Sequence, residues 1–186
     1  MPISTIGQNG LNAPLSLTTP NLGTPSAINL SNATSLAKAA LPSGAVLNAY
    51  SAAGNTQLSV GTTSQIDVPN LSITLTPVSA SSKFILMVSI QYALNGNNTQ
   101  GFSIYAVRNG SNISNDPSSA NYENYFPNSF LNPGSIRLRT SQNFYDSPAT
   151  ASSITYKIQV AGQNTNVFYL NSDSVYYSTL IILEVA

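Results

Sequence analysis

The chain has no histidine and no cysteine, and only 6% of its 186 residues are charged. Each absence closes off chemistry. Without histidine there is no Ser-His-Asp relay, no imidazole metal ligand and no general base of the commonest kind. Without cysteine there is no disulfide, no thiolate nucleophile and no zinc–thiolate site, so the fold must rest on core burial and association. No Gly-rich phosphate loop and no calcium loop occurs either. Six acids remain: Asp67, Asp116, Glu123, Asp146, Asp173 and Glu184. A glycosidase needs two carboxylates across a cleft, and Asp116 with Glu123, or Asp146 with Asp173, are the pairs on offer. However, Asp116-Pro117 and Asp146-Ser147-Pro148 read as turn initiators, in which Asp bonds its own backbone. The expectation is a non-enzymatic protein with no cofactor and no metal.

Six basic residues balance six acidic ones. An average soluble protein carries charge at roughly 25% of its positions, so here Ser, Thr, Asn and Gln must supply the polar surface. Such a surface neither steers nor repels partners. Burying hydroxyls and amides with partners costs less than burying charge, which favours a surface covered by copies of the chain or by neighbours. Nucleic acid is not expected, because phosphate binding needs clustered Lys and Arg. The one basic cluster, Arg137 and Arg139, falls on one face of a strand and reads as an exposed face or as ion-pair partners. Membrane insertion is not expected: Phe84–Val88 and Leu180–Leu183 are too short to span a bilayer. Residues 1–20 lack the basic start and apolar run of a signal peptide. Asn-x-Ser/Thr occurs at Asn29, Asn32, Asn70, Asn97 and Asn112, as chance dictates in a chain rich in these residues.

Residues 1–44 form the first segment. No charge occurs before Lys38, and Pro stands at 2, 14, 20, 25 and 42. Each Pro fixes its own φ and pushes its predecessor towards extended backbone. Only residues 32–40 offer a helix, with Ser31-Asn32 as cap. Aliphatics recur at Ile3, Ile6, Leu11, Leu15, Leu17, Leu22, Ile28, Leu30 and Leu36, with a period of neither 2 nor 3.6. A disordered tail is one reading. The other, which the regular aliphatics and zero charge favour, is an extended arm that lays apolar side chains into grooves of a neighbour.

Residues 45–186 have a different texture, with β-branched and aromatic residues alternating between turn residues. Ile154, Tyr156, Ile158 and Val160 share one face of a strand, and Ser153, Thr155, Lys157 and Gln159 the other. Phe84, Leu86, Val88, Ile90 and Tyr92 line a second strand, whose opposite face is apolar at one end, as in a central strand partly covered on both sides. Phe102, Ile104 and Ala106 point inward in a third. Leu71, Ile73 and Leu75 alternate with Ser72, Thr74 and Thr76. Thr179–Val185 is apolar on both faces, which suits a place deep in a sheet or at a subunit contact. Asn109-Gly110 predicts a two-residue hairpin. About eight strands and no amphipathic helix predict an all-β fold: a jelly-roll-like antiparallel β-sandwich preceded by the extended arm. Residues 115–133 read as a long loop, of the kind usually functional or covered by a partner. Its Tyr122, Tyr125, Phe126 and Phe130 suit a partner or glycan contact, or packing over the sandwich end.

Several of these stretches resemble a β-sandwich domain of tailed-phage structural proteins, especially those of cyanobacterial and marine phages. They are Ile66–Pro77, Ser79–Val88, Val107–Ser111, Tyr145–Pro148, Ile154–Ile158 and Ile181–Val185, with Leu17–Pro25 and Ala39–Leu47 similar to the lead-in. The likeness covers most of residues 17–186 and lies in turn-and-strand patterns. Relatives of that kind often carry Asp where Asn109 stands. The resemblance implies a component of the virion surface, expected as a homotrimer. Its partners would be copies of itself and the major capsid protein or tail and baseplate proteins. The absence of a long repetitive shaft favours a head decoration (cement) protein over a tail fibre. A short fibre or receptor-binding appendage contacting a host-surface glycan is the alternative. A bacterial adhesin-type domain is a third reading, against which the missing signal peptide speaks.

Overall fold

The fold is seen in a computed structural model that describes residues 41–94, 101–113, 137–165, 167–172 and 175–186. The arm aliphatics Ile3, Ile6, Leu11, Leu15, Leu17, Leu22, Ile28 and Leu30, the short helix of residues 32–40 and the aromatics Tyr122, Tyr125, Phe126 and Phe130 lie outside those residues. So do Asp116, Glu123 and Asp173.

Alternation places the strands. In β4 (Lys83–Leu94), Phe84, Leu86, Val88, Ile90 and Tyr92 are all buried on one side. In β8 (Ile154–Gly162), Ile154, Tyr156, Ile158 and Val160 are buried, while Thr155, Lys157 and Gln159 are half-exposed. In β5 (Phe102–Arg108), Phe102, Ile104 and Ala106 are buried as the pattern predicts, and Ser103 and Val107 on its other face are buried too. Asn109 and Gly110 turn with φ of 49° and 86° into β6 (Ser111–Asn112), the positive pair that a tight hairpin demands. Asn109 Oδ1 also accepts the Thr155 N–H at 2.8 Å, a role an Asp oxygen would fill equally well.

The remaining strands are β1 (Val46–Gly54), β2 (Leu58–Val60), β3 (Ile66–Leu75), β7 (Arg137–Asp146), β9 (Phe168–Leu170) and β10 (Ser178–Val185). All pairings are antiparallel, and no helix occurs among the described residues. β1 pairs with β10, and beyond a break β2 pairs with β9, so each couple is one interrupted strand line. β10 and β9 together flank one side of β4, and β7 runs along the other. The first sheet is therefore β1/β2, β10/β9, β4, β7, and the second is β3, β8, β5, β6. The ten strands among the described residues thus reduce to eight lines, the number expected. Numbered along the chain, they stand in the order 1-8-3-6 in one sheet and 2-7-4-5 in the other. This is jelly-roll connectivity. β10 is interior, between β1 and β4, as its two apolar faces foretold.

The sheets share one apolar core. Phe102 stacks on Phe168 with ring centroids 4.8 Å apart and meets Tyr92 edge-on at 5.0 Å. Phe84 meets Tyr156 at 5.6 Å. Fully burying one such side chain contributes about 1.5–3 kcal/mol. β1 crosses β3 where the latter bulges between Asp67 and Ser72. A side chain on Gly54 would meet the Pro69 carbonyl oxygen at 2.5 Å, so only glycine allows that approach.

Asp146 is not the turn cap its sequence context suggests. It ends β7 buried, its carboxylate 2.7 Å from Arg108 Nη1 through both oxygens, and Tyr156 donates to Oδ2 at 2.6 Å. Arg108 and Tyr156 belong to the second sheet and Asp146 to the first, so the three groups pin the sheets together. Asp146→Ala should destabilise by about 2–4 kcal/mol, because it leaves a half-buried guanidinium and a buried phenol without their acceptor. Urea unfolding should show a lower midpoint with an unchanged slope; an unchanged midpoint would show that the clasp contributes nothing.

Candidate functional site

The two outer faces of the sandwich differ in kind. On the second sheet the outer face is polar. Lys157 Nζ and Gln159 Nε2 donate to the Asp67 carboxylate at 2.9 and 2.7 Å, and Thr74 and Thr155 hydroxyls pair at 2.8 Å. The Gln159 hydrogen bond, and then Lys157, hold the Asp67 carboxyl below its ordinary range. All three charged or amide groups are solvated, so this is a conventional water-facing surface.

On the first sheet, register places the outward side chains in rows across four strands. Tyr145, Ile85, Leu183 and Ala49 make one row. Asn143, Met87, Ile181 and Ser51 make the next, and Ser141, Ser89, Thr179 and Ala53 the third. No charge stands in any of them. Tyr145 is 48% exposed, Ile181 39% and Ile85 37%. The apolar end of β4's outer face is thus open rather than covered, contrary to the expectation of a strand sheltered on both sides. With strands about 4.8 Å apart and residues about 3.4 Å apart along them, these rows span roughly 400 Å². The first two rows hold the apolar side chains of this area, and exposed apolar patches rimmed by polar residues are where interaction surfaces are sought. Lys83 lies at the lower margin, beside Val185.

The borders of this face are asymmetric. Arg139, on β7, donates from Nη1 to Ser89 Oγ at 3.2 Å and from Nη2 to the Tyr177 carbonyl at 2.9 Å, tying the upper margin together. It serves the sheet, and no anion site is formed around it among the described residues. On the opposite border, β1 pairs among the described residues with β10 alone. Its nine residues, VLNAYSAAG, contain neither charge nor proline. Exposed edge strands normally carry such guards, because unpaired N–H and C=O groups recruit other chains. The other three edges among the described residues are guarded: β7 carries the charge of Arg139, β3 carries Pro69 and a bulge, and β6 has two residues.

The chain enters this strand through a turn at its foot. The Ala45 N–H bonds the Pro42 carbonyl at 3.1 Å, Gly44 sits at φ 89°, and Ala186 N–H donates to the Ala45 carbonyl at 2.9 Å. Leu41, Ser43 and Leu47 line a groove there with Ser79, Ser81, Lys83 and Ala186. Beneath β1, Glu184 is fully buried, with no basic partner among the described residues. It accepts from Asn48 Nδ2 at 2.7 Å and from the Val78 N–H at 2.6 Å. The neighbouring Tyr50 phenol is raised by burial first, then by the Glu184 charge and hydrogen bond.

Among the described residues no three of Asp, Glu, His and Cys gather where a metal ion could sit. Asp146 is committed to Arg108 and Tyr156, while Asp116, Glu123 and Asp173, the other members of the two carboxylate pairs, lie outside the described residues. No family model matches the chain, and no curated protein matches it in sequence. Among solved structures it is similar to the VP2 subviral particle of infectious bursal disease virus, at 12% identity and a TM-score of 0.35. The match covers 75% of this chain and 37% of that one, so this chain spans well under half of the viral protein's length.

Tyr50, Tyr92 and Tyr156 all hold their protons more tightly when folded, chiefly through burial. An unfolded chain ionises its tyrosines near pH 10. The folded state therefore binds more protons above that pH, so the stability these groups contribute is complete below about 10 and is lost as pH rises further. Urea midpoints should fall steeply on the alkaline side, with part of the phenolate absorbance developing only on unfolding; a flat alkaline profile would contradict this.

Proposed function

We propose that this chain is a structural subunit of a virus particle: a homotrimeric decoration (cement) protein on the capsid of a tailed phage. The arm anchors it to neighbouring subunits and the sandwich faces outward. One observation carries the reading. A charge-free apolar face is bordered by an unguarded edge strand, on a chain whose preceding segment is itself charge-free through residue 37. A freely circulating monomer would leave that edge and that face in water; a subunit of an assembly covers them. The jelly roll supports the reading at the level of architecture, since capsid domains reuse it, and fold by itself assigns no task. On this reading the chain catalyses nothing, and its few acids serve the fold.

A short tail-fibre or glycan-binding appendage is the second reading. It is favoured by Val175, Tyr176 and Tyr177, exposed in a run where the β9/β10 line is interrupted, because sugar-binding surfaces present aromatic side chains.

Location separates the two. Gold-labelled antibody against the sandwich should mark heads, in threefold clusters. Protein lacking residues 1–40 should remain folded but fail to co-sediment with particles. Label confined to tails, or a truncated chain that still decorates heads, would overturn the cement reading. Binding of the isolated sandwich to a glycan array would support the appendage.

A further inference from the structure

We infer that β1 is the acceptor site for one more strand, and that its occupant is the stretch Pro14–Pro20 from the arm of a second copy of this chain. The inference rests on the reading of the chain as an assembled subunit and names the surface and the partner of its self-contact.

Three features of the acceptor point to a strand rather than to a globular partner. Among the described residues β1 pairs with β10 alone, and its nine residues, the length of a full added strand, carry neither charge nor proline. Its outward side chains, Ala49, Ser51 and Ala53, are small and exposed, whereas the next column holds Thr179, Ile181 and Leu183. The sheet therefore steps down at its border. An added strand about 4.8 Å further out could lay large aliphatics across that low column towards Ile181 and Leu183. The site is also free of charge, so its occupant must be neutral or leave a charge desolvated.

The arm matches this site in sequence. Pro14-Leu15-Ser16-Leu17-Thr18-Thr19-Pro20 alternates apolar and polar residues between two prolines. That pattern puts Leu15 and Leu17 on one face, towards the step. The prolines limit the added strand, since Pro ends pairing and is tolerated only at a sheet's edge. Residues 21–40 can extend to about 65 Å, ample to reach a neighbouring copy. A second copy is the occupant because cyclic exchange closes every edge: each subunit donates one arm and accepts one, and no unguarded β1 remains. With no net charge, identical subunits meet without repulsion.

The absence of cysteine makes the test clean, since any introduced thiol is unique. Full-length Thr18→Cys and Ser51→Cys chains, each with its own affinity tag, are co-expressed and treated with a short bismaleimide. The expected result is a linked species carrying both tags. A doubly substituted chain that links only within itself would overturn the inference in favour of the chain's own arm, and no linkage in either format would overturn it outright. In parallel, Ala49→Lys places a guard on the exposed edge. Self-association by light scattering should weaken at least tenfold, while the melting of the sandwich, measured on dilute monomer, stays unchanged. Unaltered association would count against β1 as the site. Virion location reads out separately: linkage between tags without particle labelling sinks the capsid reading alone, and particle labelling without linkage sinks this inference alone.

Discussion

The apolar layer shared by β4 and β8 is the contact on which the rest of the structure depends. There is no disulfide to share the load, and few charges to pair. Phe84, Leu86, Val88, Ile90 and Tyr92 from one sheet meet Ile154, Tyr156, Ile158 and Val160 from the other, and β5 and β10 close the sides. Burial of this kind is strong but non-directional. Orientation comes from polar pins at the margin: the Arg108–Asp146–Tyr156 clasp between sheets, and the acceptance of Asn48 and the Val78 N–H by Glu184. Two of the six acids are buried in these pins, and Asp67 is spent in a surface network.

The core also explains the asymmetry of the surface. A sandwich has two outer faces, and each strand alternates between core and outside. The outer face of the second sheet is furnished with Asp67, Lys157, Gln159 and threonines, as a surface that meets water requires. The outer face of the first sheet carries Ile85, Met87, Ile181 and Leu183 at equivalent positions. Those residues contribute nothing to the inter-sheet core, which is complete without them. On the reading proposed above, that face is covered by something outside the sandwich, and the β1 border extends the same logic from side chains to backbone.

The strands that sequence reading finds are those whose period is written in large side chains: β4, β5, β8, the second half of β3, β10 and the hairpin at Asn109-Gly110. β1 is a different case. Val-Leu-Asn-Ala-Tyr-Ser-Ala-Ala-Gly has no strong alternation and several small residues, and it becomes a strand by pairing with β10, 124 or more residues away along the chain. β2 and β9 are three residues each, too short for any period to register. Asp146 misled for a related reason. A Pro two residues on is a local turn signal, but Arg108, 38 positions back, and Tyr156, 10 ahead, arrive only through sheet packing. Of the candidate contact surface, the neutral arm and low charge were legible. The step along β1 and the rows beside it were not, because a row joins residues from four strands.

The sequence by itself determined that the chain forms a mostly uncharged all-β domain held by burial, because alternation and composition are local properties that each residue carries with it. It also determined that imidazole and thiolate chemistry are absent. Which apolar residues form the core and which stand outside on a contact face was decided only by tertiary structure. Ile85 and Ile90, or Ile181 and Ile182, are the same side chain five positions apart or adjacent, yet one of each pair is buried and the other exposed. The physical reason is that a strand has two faces of equal standing until a second sheet packs on one of them. Strand pairing then decides which edge is left open.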